Sequence, residues 1–143
     1  MCLKFITGLF KKEKPEFISP AGFIDIYTAS SILLDILEGM GDGGAEIYLP
    51  DAGIKKYTKD AVINCCELEE VSAIKYATDI HDCDDFAAEL YGKFAGLAWT
   101  NVHALNFFFD DRETFWWIEP QNKKISRCLE GWQGNDVRFF LAR

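Results

Sequence analysis

Basic charge is nearly missing from the middle of this chain. Residues 60–119 hold 3 Lys or Arg against 13 Asp or Glu, within a chain of net charge −8. A surface this acidic repels phosphate backbones and anionic lipid, so no nucleic acid is expected as a partner and a membrane surface is unfavourable. No run approaches the ~20 apolar residues of a membrane span. The first ten residues lack the apolar core and small-residue cleavage site of a signal peptide. None of the five Cys (Cys2, Cys65, Cys66, Cys83, Cys128) sits in a C-x-x-C pair. Neither a zinc knuckle nor a disulfide framework is therefore indicated, and reduced thiols in a cytoplasmic compartment are the simplest reading. No cofactor motif is present. The glycines at 39, 41, 43 and 44 carry no following Gly-Lys-Ser/Thr, so they read as a helix stop and not as a phosphate loop.

What is present fits one globular domain. Of 143 residues, 49% are apolar and 27% charged, enough to bury a real core. Aromatics reach 15%, which points to a dense core or an aromatic-lined cleft. Met1–Glu16 reads as a charged lead-in ending near Pro15, and residues 17–143 as the domain. The spacing of Ile32, Leu33, Ile36 and Leu37 predicts a helix over Tyr27–Glu38, capped by Ser30 or Ser31. Ala45–Leu49 reads as a short strand, and Thr58–Cys66 as a helix capped by Thr58. Ile74–Ile80 reads as extended, and Phe86–Phe94 as a helix stopped near Gly96. Val102–Phe109 and Thr114–Glu119 then form a β-hairpin around a four-residue loop, and Val137–Leu141 a last strand. The order predicts an α+β fold, with N-terminal helices and a Cys-bearing helix packed on an antiparallel sheet.

The informative stretch is 79–121. Cys83 falls at a loop-to-helix junction, where the positive end of the helix dipole favours a thiolate. Asp82, Asp84 and Asp85 beside it act the other way. His103 lies on the first hairpin strand and Glu119 at the end of the second. A turn centred near residues 111 and 112 would set position 103 across from 119 or 120. A thiol, an imidazole and a carboxylate that orients it are the parts of a cysteine hydrolase or acyl transferase. His81, Cys83 and the adjoining carboxylates resemble a metal cluster by composition only, since two separated ligand pairs are missing, and no metal is assigned. Tryptophans offer ligand-stacking surfaces, with Trp99 and Trp117 as candidates and Trp132 beside them.

The segments HDCDDFAAELYG, VHALNFFFDD and FWWIEPQ, with IYLPD upstream, resemble a phage and bacterial family of small domains. In the wide sense the resemblance is to transglutaminase-like cysteine peptidases with a papain-like core. It spans roughly residues 47–121. By position it implies Cys83 as nucleophile, His103 as base and Glu119 as orienting acid. The backbone N–H of Cys83 is the default oxyanion donor, and Gln121 is a candidate substrate contact. It further implies an amide substrate in a peptide, peptidoglycan or protein side chain. Members are also described as lectin-like, and an inactive module binding a glycan, a peptide or a host protein is the alternative.

Overall fold

The computed structural model describes residues 18–41 and 44–143; the lead-in at Met1–Glu16 lies outside them. Its eight strands are β1 (Gly22–Ile24), β2 (Glu46–Tyr48), β3 (Ile54–Tyr57), β4 (Gly96–Thr100), β5 (Ala104–Asp110), β6 (Phe115–Glu119), β7 (Lys124–Ser126) and β8 (Val137–Leu141). Three helices join them: α1 (Ile26–Met40), α2 (Lys59–Leu68) and α3 (Cys83–Lys93). The strands run in the order β1-β3-β5-β4-β8-β2, with β6 branching from β5 and carrying β7. The fold is α+β, as the element order indicates. The sheet is mixed, not antiparallel throughout: β2 runs parallel to β8 and β3 parallel to β5. No helix among the described residues is long and apolar enough to cross a membrane.

Strand β5 organises the core because both its faces are covered. Leu105, Phe107 and Phe109 join Leu33 and Leu37 of α1, Phe115, Trp117 and Phe140 in one cluster. Phe108 joins Val62 and Cys65 of α2, Leu90, Phe94 and Ile118 in the other. Strand alternation thus places α1 on one side of the hairpin and α2 with α3 on the other. Aromatic rings stack within this packing, as in the pairs Phe107–Phe115 at 5.4 Å and Trp117–Phe140 at 5.6 Å.

Several local expectations needed correction. Helix α1 starts before Ser30 and Ser31, so neither caps it. The Asp25 carboxylate accepts the N–H groups of Tyr27 and Thr28, each at 3.0 Å. Thr58 does cap α2, accepting Ala61 N–H at 3.2 Å. The segment 74–80 is a chain of turns with a single bridge from Ala77 to His81. Gly96 does not stop a helix; it opens β4. A Cβ there would come within 2.4 Å of the Phe107 ring, so glycine is what lets that ring lie over the neighbouring strand.

Burial separates the thiols. Cys65, Cys66, Cys83 and Cys128 are all free, and only the first two are buried. Desolvation pushes the Cys66 thiol from 9.0 up to about 12. The folded chain therefore holds this proton where the unfolded chain releases it. Stability is intact below pH 9 and falls as pH rises toward 12. At pH 8, thiol labelling read by mass spectrometry is expected to spare Cys65 and Cys66 until urea unfolds the chain. Native-state labelling of either as fast as Cys128 would contradict this.

Candidate active site

The site is assembled where the β4–β5 turn meets the first turn of α3. Asp82 precedes that helix, and its N–H donates to Asp85 Oδ2 at 3.1 Å, which settles one of the three acidic neighbours into a capping role. Cys83 is the first helical residue and is half-buried. The helix is fastened to β5 by Asn106, a fully buried side chain whose Nδ2 donates to Ala87 O at 2.9 Å and to Gly96 O at 3.0 Å.

His103 comes from the turn before β5, not from the strand. Buried Thr100 holds that turn. Its Oγ1 donates to Gln133 O at 2.6 Å and accepts the His103 N–H at 3.0 Å, while its own N–H donates to His103 O at 2.8 Å. Gly134, with φ +95°, makes this closeness possible: a Cβ would lie 2.5 Å from Asn101 Oδ1 and 2.7 Å from Thr100 Oγ1.

The imidazole and the carboxylate meet. His103 Nε2 lies 2.7 Å from Glu119 Oε2, and both side chains are buried. The hairpin register pairs Asn106 with Ile118, which extended sets Leu105 opposite Glu119. His103 is therefore diagonal to Glu119, not directly across. A slip of two residues preserves the face on which a side chain lies, so the partnership survives. Glu119 is further held by Gln133, whose Nε2 donates to Oε2 at 2.8 Å, and by the Gln121 N–H on Oε1 at 3.1 Å. Gln133 is itself fixed by the Glu130 N–H on its Oε1 at 2.7 Å. The Trp132 ring packs on the imidazole at 4.9 Å between centroids, its indole N–H bound to Glu130.

Cys83 and His103 line one cleft of about 230 Å³, with Trp99, Asn101, Val102 and Arg138 among the other walls. No hydrogen bond joins Cys83 to His103, and His103 Nδ1 has no bond within the described residues, leaving that nitrogen for a proton acceptor role. Beside the thiol, Asp82 and Asp84 hydrogen-bond to each other, which raises the Asp84 carboxyl above its usual range and lowers Asp82. One ligand atom each from Asp82, Cys83 and Asp84 lies within 4.8 Å of the others.

Of the candidate ligand contacts, Trp99 lines this cleft. Trp117 does not: it is 3% exposed and packs among Phe115 and Phe140, because its side of β6 faces α1. Gln121 reaches the site through its backbone, holding Glu119. Thr100, Gln133 and Arg138 are the residues sequence reasoning passed over as site members. No spacing marks them, because they reach the site from separate loops and strands.

Gln133→Leu keeps volume and removes one donor from Glu119 while orphaning the Glu130 N–H. A loss of roughly 1–3 kcal/mol is expected, read as a lower melting temperature, with slower alkylation of Cys83. An unchanged melt and unchanged alkylation would remove Gln133 from the site.

No protein-family model matches the chain, and no curated protein matches it at a significant level. Solved structures do. The Polyporus squamosus lectin, bound to the human-type influenza-binding epitope Neu5Aca2-6Galb1-4GlcNAc, superposes with a TM-score of 0.63 at 21% identity, over 80% of this chain and 48% of the lectin chain. The PSL1a-E64 complex gives a TM-score of 0.65 at 20% identity, over 83% of this chain and 51% of the other. This chain spans about half the length of the proteins it resembles, and what it shares with them is the fold of that half.

Proposed function

We propose that this chain is a cysteine-dependent hydrolase of amide bonds, with the papain-like arrangement that its motifs resemble. The observation that carries the reading is the buried 2.7 Å contact between His103 and Glu119 at the edge of the cleft that holds Cys83. With Nε2–H donated to Glu119, the lone pair of the imidazole is on Nδ1. That nitrogen takes the thiol proton as Cys83 Sγ attacks the acyl carbon, and returns it to the departing amine. Water then attacks the thioester, again losing its proton to Nδ1. The carbon–sulfur bond breaks to release the acid and return Cys83 to its starting state, its sulfur regaining the proton from the imidazolium. The Cys83 N–H, in the first turn of α3, is the oxyanion donor. Trp132 keeps water from the His103–Glu119 bond. Relevant substrates are amides in peptides, peptidoglycan or protein side chains.

A thiol-directed epoxide serves as the probe. One adduct is expected, on Cys83, forming at least 100-fold more slowly in His103→Ala. Equal labelling of exposed Cys128, or none on Cys83, would defeat the reading.

The lectin likeness supports a second reading more directly: a binding module on the same scaffold, with the three residues vestigial. Trp99 and exposed Trp132 would then hold a glycan, peptide or host protein. Because the match covers 48% of the lectin chain, this reading requires the sugar to sit in the shared half. Glycan-array binding retained by Cys83→Ala, with no turnover by the native chain, would favour it.

A further inference from the structure

We infer that the β8 wall of the cleft is a subsite for an acidic side chain of a peptide, held by Arg138. This rests on the peptide form of the proposed activity. Strand β8 pairs with β4 through Thr100–Val137 and Trp99–Phe139, which brings Arg138 to the same cleft as Cys83 and His103. It is the one Lys or Arg on that cleft's walls, and its exposed guanidinium has no hydrogen bond or ion pair among the described residues. Lys56, Lys93 and Lys124 pair with Glu113, Glu69 and Glu130, whereas Lys55, Lys75 and Arg112 share with Arg138 the lack of an ion pair among the described residues; what sets Arg138 apart is its place on the cleft wall. In a chain of net charge −8, a cation left without a carboxylate at a reactive cleft is set apart from the general surface.

The surroundings define what it would take. Trp99 is braced by Phe139, with ring centroids 5.5 Å apart, and gives a fixed apolar wall. Val102, 63% exposed, forms an apolar lip. A flat apolar wall beside a guanidinium suits a carboxylate on a short methylene arm, which Arg binds through two parallel N–H donors. Asp84, next to Cys83, also lines the cleft, so its walls carry one charge of each sign. At about 230 Å³ the space is smaller than a usual enclosed small-molecule pocket of ~300 Å³ or more. It fits a segment of an extended chain.

The test scans one peptide series with Glu, Gln or Lys at each position within three residues of the cut bond. At one position Glu should exceed Gln in kcat/KM by about twofold to fivefold, a range set by one exposed charge pair. Arg138→Gln should abolish the preference and Arg138→Glu should turn it toward Lys. Equal rates for Glu and Gln everywhere, or a preference unchanged in Arg138→Glu, would overturn the inference while leaving the hydrolase intact. If no peptide is cut, the hydrolase reading fails, and dye-labelled peptides binding to Cys83→Ala decide the subsite alone. Tighter binding of the Glu peptide than the Gln peptide, lost in Arg138→Glu, supports it; equal binding overturns it. Thermal melts confirm that the Arg138 variants fold.

Discussion

Glu119→Ala is expected to cost the protein both stability and thiol reactivity. The carboxylate is 3% exposed and accepts from His103, Gln133 and the Gln121 backbone. Removing it strands three donors in a place with little access to water. Breaking a buried pair from one side typically costs ~3–5 kcal/mol, which for a chain of this length lowers the melting temperature by roughly 10 °C. Glu119→Gln separates the two effects. It preserves shape and an acceptor for the imidazole, so most stability should remain, while the charge that steadies the imidazolium is gone. Alkylation of Cys83 should then fall by ~10²-fold or more. Wild-type alkylation in Glu119→Gln would show that the pair is structural only.

Asn106→Asp should be more damaging than Asn106→Ala, although it changes almost no volume. Asn106 is fully buried and donates twice, to Ala87 O and Gly96 O. Alanine removes both bonds and leaves a small cavity, a loss of ~2–4 kcal/mol. Aspartate points an unpartnered carboxylate at two carbonyl oxygens, a buried charge that costs several kcal/mol more, comparable with the whole stability of a domain. Such a carboxyl has its pKa raised by folding. Its penalty is therefore absent below the unfolded value of ~3.9 and grows as pH rises above it. Denaturant melts should show Asn106→Asp recovering part of its deficit at acid pH, and Asn106→Ala recovering none. Equal stabilities at pH 7 would mean that Asn106 does not clamp α3 to β5.

The two variants probe different links between chain and site, and those links differ in how readable they are. The β-hairpin was legible because Phe107, Phe108 and Phe109 alternate into two cores and a polar loop separates two β-rich runs. Its register was read two residues off, since loop length alone does not fix pairing when Asp110 accepts the N–H groups of Arg112 and Thr114 and shapes the turn. The start of α3 was legible at Cys83: Asp84 and Asp85 have weak helix preference, but in a first helical turn the dipole and capping offset it. Strands β3, β4 and β7 escaped notice because each is short and is a strand only through its pairing, as Lys56 is through Phe109, Trp99 through Ala104 and Lys124 through Glu119.

The sequence by itself determined the α+β composition, the acidic charge of the middle of the chain, and that His103 and Glu119 come within reach of each other. Those follow from residue type, periodicity and charge, which need no partner to be expressed. Only the tertiary structure decided that Glu119 also answers to Gln133, that Trp117 belongs to the core while Trp99 faces the cleft, and that Arg138 stands unpaired beside the thiol. Each of these depends on loops and strands widely separated in sequence closing on one place. Such closure is driven by the burial of Phe107, Phe140 and their neighbours and leaves no local pattern along the chain.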